Sequence, residues 1–432
     1  MRSWPLDLKV TDHIKDKVVQ ETPKSNRLNI AIFGRTNVGK SSLMNMLIGQ
    51  DIAITSPIAG TTTDVVEKAC ELLPLGPVLF LDTAGVDDTS ELAEQRSKKT
   101  QKIFDRADVI LLVAEPDTWT KFEDDVVTKA EEKKIPVVVI INKTDLIKPG
   151  QAFLDKITKK CARIIEVSSI ITSERDVYVN AVKHQLIEVA PDDFVQPPRL
   201  IGDLVKPGGI AVLVVPIDLQ APKGRLILPQ VQTIRDTLDN DAAAFVVKER
   251  ELAAMLAMLN KKPDVVVTDS QAILKVSADV PKNIKLTTFS ILFARQKGDL
   301  SVAAEGAAAI DRLKPGDRVL IAEACTHHAL EDDIGRVKIP RWLRQYLGFD
   351  VKAETYAGRD YPDNLSDYKL IIHCGGCMLT RREMMGRIQK ASEAGVPITN
   401  YGVAISFLQG VISRALEPFP AALMAFQRKM NS

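Results

Sequence analysis

Residues 28–42, LNIAIFGRTNVGKSS, decide how the rest of the chain is read. The run Leu28 to Phe33 is apolar without alternation, the pattern of a strand buried on both faces, and it stops at Gly34. Gly34, a four-residue gap and then Gly39-Lys40-Ser41 make a phosphate-binding loop. Leu43, Met44, Met46, Leu47 and Ile48 then predict a helix behind it. The glycines let the backbone curl so that its N–H groups, those of Asn37, Val38 and Ser42 included, point toward a triphosphate. The helix N-terminus adds favourable partial charge, Lys40 reaches the outer phosphates and Ser41 is suited to Mg²⁺. A glycine-rich turn with a chance lysine would lack this strand before it and this helix after it. Nucleotide binding is therefore expected.

Strands and helices alternate beyond that loop. Apolar strands are expected at 65–73, 78–81, 109–114, 137–141 and 164–167, with helices around 91–106, 122–133 and 151–160. This is an α/β pattern, a mostly parallel sheet covered by helices on both faces. Ligands in such sheets bind at the carboxyl ends of strands, where the polar motifs fall. One strand ends in Asp82-Thr83-Ala84-Gly85, another in Asn142-Lys143-Thr144-Asp145, and a third in Ser168-Ser169-Ile170. Asp82 suits the carboxylate that holds Mg²⁺ through its shell, and Gly85 lets a backbone N–H approach a γ-phosphate. Asp145 can accept two hydrogen bonds from the N1–H and exocyclic amine of guanine, a donor pair adenine lacks. Asn142 and Lys143 buttress that pocket, with Ser168 and Ser169 beside it.

In this order the motifs resemble a small GTPase of the translation-factor type, which implies GTP/GDP and Mg²⁺ as cofactors. Gly60-Thr61-Thr62-Thr63-Asp64 resembles the switch I of tRNA-modification and ribosome-assembly GTPases, where a threonine completes the Mg²⁺ shell. Thr62 is the expected ligand, with Thr61 and Thr63 as alternatives. Val86 stands where Ras-like enzymes carry a water-orienting glutamine. In the resembling enzymes Asn37 would help hold a K⁺ ion in place of an arginine finger; a plain turn role is the alternative. Lys40, Thr62 and Gly85 are thus the expected catalytic set.

The whole chain sets outer bounds. Its 432 residues imply about two to four domains, and 45% hydrophobic residues allow a sizeable core. A formal charge of +1 and 5% aromatics give no general pull toward nucleic acid or anionic lipid. The N-terminus lacks an apolar signal region and no apolar run approaches ~20 residues, so a cytoplasmic protein without a membrane span is expected. The stretch 191–209 is rich in Pro and Gly and reads as a linker, followed by a small α/β unit without a catalytic constellation. Cys70 and Cys161 read as core fillers.

The last third alternates again, with strands expected at 265–268, 318–322 and 368–372 and helices at 301–313, 339–347 and 381–394. Cys325-Thr326-His327-His328 follows one strand and His373-Cys374-Gly375-Gly376-Cys377 another. If both strands run parallel in one sheet, three thiols and up to three imidazoles converge at its carboxyl edge. A structural Zn²⁺ site, a redox pair and an iron–sulfur cluster all remain open on ligand chemistry.

The combination of this cysteine pattern with a GTPase, from the ETPKSNRLNI lead-in at 21–30 onward, resembles the HydF family of [FeFe]-hydrogenase maturation GTPases. The resemblance implies a lead-in at 1–26, a GTPase domain at 27–190, a linker and dimerisation domain at 191–262 and a cluster-binding domain at 263–432. It implies a [4Fe–4S] cluster on Cys325, Cys374 and Cys377, with His327 or His373 as fourth ligand or close neighbour. It implies a scaffold that receives a di-iron H-cluster precursor from two radical-SAM maturases and delivers it to apo-[FeFe]-hydrogenase. A homodimer, or a tetramer, would carry this out. Two rival readings stand beside it: an RNA- or ribosome-associated GTPase with a zinc-bearing tail, and a redox-sensing switch GTPase.

Overall fold

The computed structural model describes residues 22–49, 66–83, 93–196, 198–216, 226–324, 333–358, 361–362 and 364–431. Three sheets organise them. The first body contains β1 (Leu28–Phe33), α1 (Lys40–Ile48), β2 (Val66–Leu72), β3 (Gly76–Asp82), α2 (Ala93–Arg106) and β4 (Val109–Ala114). It continues with α3 (Lys121–Glu132), β5 (Val137–Ile141), α4 (Gln151–Thr158), β6 (Ile164–Glu166) and α5 (Arg175–Val189). The order is β2-β3-β1-β4-β5-β6, with β2 alone antiparallel to its neighbour. Successive residues of a strand face opposite sides. Leu28, Ile30 and Ile32 accordingly enter one apolar layer, while Ala31 and Phe33 enter the other. Two covered faces are why β1 and β4 read as unbroken aliphatic runs.

A short helix, α6 (Asp192–Val195), leads toward the second body. There β7 (Ile210–Val214), α7 (Leu228–Asp239), β8 (Ala243–Val247), α8 (Leu252–Met258), β9 (Val265–Thr268), α9 (Ile273–Asp279), β10 (Lys285–Thr288) and α10 (Phe289–Lys297) form a parallel sheet of order β10-β9-β7-β8. The boundary expected between residues 262 and 263 is corrected by this sheet. Val265 pairs with Ala211 of β7, so β9 and β10 belong to the middle body. A short aliphatic strand such as VVVT carries no mark of which sheet it will join.

The third body holds α11 (Leu300–Ala307), β11 (Arg318–Ala322), α12 (Ile339–Leu347), β12 (Lys352–Tyr356), β13 (Leu370–His373), α13 (Arg381–Glu393), β14 (Ile398–Asn400), α14 (Tyr401–Leu408), α15 (Ile412–Leu416) and α16 (Pro420–Met430). Its sheet, β12-β11-β13-β14, is wholly parallel. The second and third bodies share one apolar core, in which Leu292 of α10 and Ile405 of α14 belong to the same cluster as Val212 and Val319. The first body meets the third more sparsely. Arg382 donates to the Lys133 carbonyl at 2.7 Å and Lys390 pairs with Asp105 at 3.1 Å, beside a cleft of about 1830 Å³.

Asp108, between α2 and β4, is buried where these bodies meet and accepts the Asn29 backbone N–H at 2.9 Å. Burial pushes its carboxyl up to about 7, against the pull of that hydrogen bond and of Arg382; Glu383 and Asp193 add to the rise. A raised carboxyl value means the fold favours the neutral form, so stability falls as pH climbs from about 4 to about 7. Asp108→Asn keeps an acceptor and removes the ionisation. Calorimetry should show it melting at least ~2–4 °C above the parent near pH 8 and by a smaller margin near pH 4.5. The reverse order would contradict the assignment.

Candidate functional site

Two sites emerge, both at carboxyl edges of parallel strands. In the first body, α1 starts at Lys40 with Gly39 ahead of it at φ +95°. A Cβ on Gly39 would lie 2.2 Å from Asn142 Nδ2, so backbone conformation and space both demand glycine. The Lys40 amine is buried in the loop, donating to the carbonyls of Gly34 at 2.5 Å and Arg35 at 3.1 Å. Ser41 and Ser42 lie exposed in the first turn, and Asn37 takes φ +66° in the loop.

Asn142 ties three segments together. Its Nδ2 donates to the Val38 carbonyl at 2.9 Å, and its Oδ1 accepts the Ser169 N–H at 3.1 Å. The amide is fully buried, so both ends are satisfied by the fold itself. This fixes the end of β5 and the Ser168–Ser169 loop against the phosphate loop. Ser168 Oγ donates to Asp145 Oδ1 at 2.6 Å, which orients the carboxylate. Lys143, at φ +64°, reaches Glu115 Oε1 at 2.5 Å. Asp82 ends β3 beside Ile32 of β1. Thr62 and Gly85 lie outside the described residues, as do Thr61, Thr63 and Val86.

Two supporting residues escaped the sequence reading. Glu115 directly follows β4, where the strand-end rule would have found it. Glu123, fully buried, takes part in a capping box with Thr120 and holds Arg35 at 2.8 Å. That pair fixes the side chain that follows Gly34.

In the third body β11 and β13 are direct parallel neighbours, with Ala322 opposite His373. The Cys374 N–H continues the ladder to the Ala322 carbonyl at 2.8 Å. The Ala324 N–H donates to Cys374 Sγ at 3.1 Å. Cys325 is the next residue along the chain; it, His327 and His328 lie outside the described residues. Cys374 and Cys377 are half-buried cysteines packed against the apolar core. Between them Gly376 takes φ +62° and its carbonyl accepts the Leu379 N–H at 2.9 Å, turning the chain toward α13. That helix opens with a capping box in which Glu383 Oε2 accepts the Thr380 N–H at 2.9 Å.

His373 is engaged on both sides of its ring. Nδ1 donates to the Cys374 carbonyl at 2.8 Å, and Nε2 accepts from Arg387 at 2.8 Å. The ring is fully buried, and burial first, then Arg387, holds it down to about 3, so it is neutral. Where the sequence offers His373 as a ligand or close neighbour of the cluster, both of its ring nitrogens are engaged by protein groups in this arrangement. Lys297, also missed from sequence, is buried beside the thiols and donates to Leu379 O at 3.0 Å. Burial lowers its amine to about 8, while Cys377 and Glu383 oppose the fall. Cys377 is itself pushed up by burial, with Lys297 opposing.

The donor chemistry suits a metal that takes sulfur. Half-buried thiols stand on an edge where a backbone N–H is aimed at one sulfur, the arrangement that stabilises thiolate ligands. Among the described residues no group of three His, Cys, Asp or Glu forms a metal site. The third sulfur expected from the sequence, Cys325, is not among them.

Comparison with known families bears on each body. Residues 29–143 match the 50S ribosome-binding GTPase model, 200–298 the hydrogen maturase F dimerization domain, and 301–418 the hydrogen maturase F tetramerization domain. The chain belongs to the HydF family. Its architecture is a P-loop GTPase domain followed by two further α/β domains. The middle match ends at 298, which agrees with β9 and β10 lying in the second sheet. Curated relatives resemble the GTPase part of this HydF-family chain. The tRNA modification GTPase MnmE of Zymomonas mobilis is 33% identical over 175 residues, covering 39% of each chain. That of Latilactobacillus sakei is 40% identical over 151 residues, covering 34% of this chain and 31% of the relative. The chain thus spans well under half the length of these relatives. Among solved structures, a tyrosine-to-alanine variant of Aquifex aeolicus Era bound to GDP·AlF4⁻ is 21% identical, with 54% of this chain and 98% of that one covered and a TM-score of 0.31. No helix among the described residues is long and apolar enough to cross a membrane.

Gly39→Ala tests the geometry of the phosphate loop. A Cβ forced against Asn142 at φ +95° should cost about 2 kcal/mol or more, hence ~30-fold or more in guanine-nucleotide affinity by titration calorimetry. Unchanged affinity would mean that the loop adopts another form when it binds.

Proposed function

We propose that this HydF-family chain binds and hydrolyses GTP with Mg²⁺, and acts as the scaffold and carrier that passes a di-iron H-cluster precursor to apo-[FeFe]-hydrogenase. The observation that carries the reading is the adjacency of β11 and β13, which sets Ala324, next to Cys325, within hydrogen-bond reach of Cys374. A GTPase body joined to two hydrogen maturase F domains supports it.

In the nucleotide site, Lys40 would turn from the loop carbonyls to the β- and γ-phosphates. Ser41, Asp82 and a switch-I threonine, Thr62 by expectation, would hold Mg²⁺. The Gly85 N–H would meet the γ-phosphate, and Asp145, oriented by Ser168, would read guanine. Asn37 would help to hold K⁺ as the charge that replaces an arginine finger. Turnover should therefore be several-fold faster in K⁺ than in Na⁺ buffer; equal rates would remove that role. Asp145→Asn should exchange guanine for xanthine preference, since an amide presents a donor where the carboxylate accepts.

In the thiol site, Cys325, Cys374 and Cys377 would hold a [4Fe–4S] cluster. When bound, such a cluster supplies an iron with an exchangeable corner at which the di-iron cargo can be received and released. His327 is the remaining histidine of the motif for that fourth corner. His373, locked by Arg387 and the Cys374 carbonyl, would fix the start of the thiol loop instead. Two radical-SAM maturases would supply the cargo.

Association would use the middle body. Strand β8 is a sheet edge whose Phe245 and Val246 are 39% and 44% exposed, and an apolar edge of this kind pairs readily with a second copy. Binding of GTP would order switch I and hydrolysis would release it, timing exchange of partners.

Anaerobically reconstituted protein tests the reading. It should be brown, carry iron and sulfide in about a four-to-four ratio and show a reducible cluster signal. Cys325→Ser, Cys374→Ser and Cys377→Ser should each lose most of that iron and fail to activate apo-hydrogenase. Colourless protein with one zinc, or full activation by all three variants, would contradict it.

A further inference from the structure

Three buried charges link β2 and α2 of the first body to α13 of the third. Glu67 stands near the start of β2, which in sequence follows the threonine-rich stretch 60–64. Arg106 is the last residue of α2, the helix that follows the Asp82–Gly85 motif along the chain. Its guanidinium bonds Glu67 through Nη2 and faces Glu383 of α13 through Nε at 3.6 Å. Lys24 completes the group, with its amine 2.5 Å from the other Glu67 oxygen. Glu383 in turn caps Thr380, and through Leu379 and Met378 the chain runs directly back to Cys377.

Burial makes these contacts matter. The side chains of Glu67, Arg106 and Glu383 are only 13%, 10% and 9% exposed, so solvent and salt screen them little. Arg106 Nε has no hydrogen-bond partner among the described residues. Its 3.6 Å gap to Glu383 is an ion pair that a small approach would convert into a charge-assisted hydrogen bond at about 2.8 Å. One arginine is thus held between two carboxylates, tightly to Glu67 and more loosely to Glu383. A second tie runs parallel, since Lys297 joins the Ser25 carbonyl of the first body, at 3.2 Å, to Leu379 O beside the thiols.

We propose that Glu67, Arg106 and Glu383 form a relay by which the nucleotide state of the GTPase body sets the accessibility of the Cys374 and Cys377 thiols. It rests on reading the first body as GTP-responsive and residues 374–377 as the metal-holding loop. Motion of β2 or α2 changes how Arg106 is shared between its two carboxylates. The change reaches the first turn of α13 through Glu383, and the thiol loop through the Thr380 cap. Arg106 and the two glutamates act in this relay as positioning residues.

The test uses the full-length, metal-free, reduced chain. Alkylation rates of Cys374 and Cys377 are followed by peptide mass spectrometry, with Mg²⁺ and either GDP or a non-hydrolysable GTP analogue. The two nucleotides should give rates differing about fivefold or more, the lower end of ordinary coupling between sites. Glu383→Gln retains the capping box, because glutamine serves at that position, and removes the charge facing Arg106. It and Glu67→Gln should bind both nucleotides with parental affinity yet show equal alkylation rates in the two states. A nucleotide effect that survives in both variants overturns the relay, as does its absence from a parent chain that binds both nucleotides. A parent chain that binds no guanine nucleotide overturns relay and function together. Iron content after reconstitution tests the cluster separately, and its failure would leave the relay standing.

Discussion

The parallel hydrogen-bonded pairing of β11 with β13 is the constraint on which the cluster-site reading depends. Parallel neighbours must be joined by crossover connections, so both chain exits fall on the same edge of the sheet. The register that sets Ala322 against His373 then brings the segment after each strand to one level. Thiol positions some fifty residues apart in sequence can be gathered without any local motif linking them. Across that edge the Ala324 N–H donates to Cys374 Sγ.

The nucleotide site obeys the same geometry. Its pieces come from the ends of β1, β3, β5 and β6, and Asn142 performs the fastening that the β11–β13 ladder performs in the third body. The two sites differ in how they are joined to the rest. The middle and last bodies share a continuous apolar core and so should move together. The GTPase body touches them largely through ion pairs and carbonyl contacts around a wide cleft. Polar contacts of that kind suit a joint that changes with ligand state better than an apolar seam does.

Much of this was legible in the sequence because buried parallel strands are aliphatic and end abruptly. The runs IAIF, VILLVA and VVVII identify their strands, and polar motifs directly after them mark the candidate site. The limits of that logic are equally specific. VVVT at 265–268 reads as a strand but not as a member of the middle sheet, since register is a long-range choice. Strands β12 (KAETY) and β14 (ITN) escape because one is a half-exposed edge with charged residues and the other is three residues long. The helix expected across 301–313 ends at Ala307 and tightens into a short 3₁₀ segment, Ala308–Arg312, ahead of Pro315. His373 looks like a ligand by its neighbours, and only the fold reveals that Arg387 and a carbonyl already occupy its ring. Charges such as Arg106 and Lys297 carry no sequence signal, because their partners lie in other bodies.

Proximity of the three sulfurs is the claim most directly open to measurement. A short bifunctional thiol reagent, applied to the dilute, metal-free, reduced chain, reports it without any assumption about the metal. The account predicts intramolecular links from Cys325 to Cys374 or Cys377 among the digested peptides. Links confined to the Cys374–Cys377 pair, with Cys325 only singly modified, would contradict it.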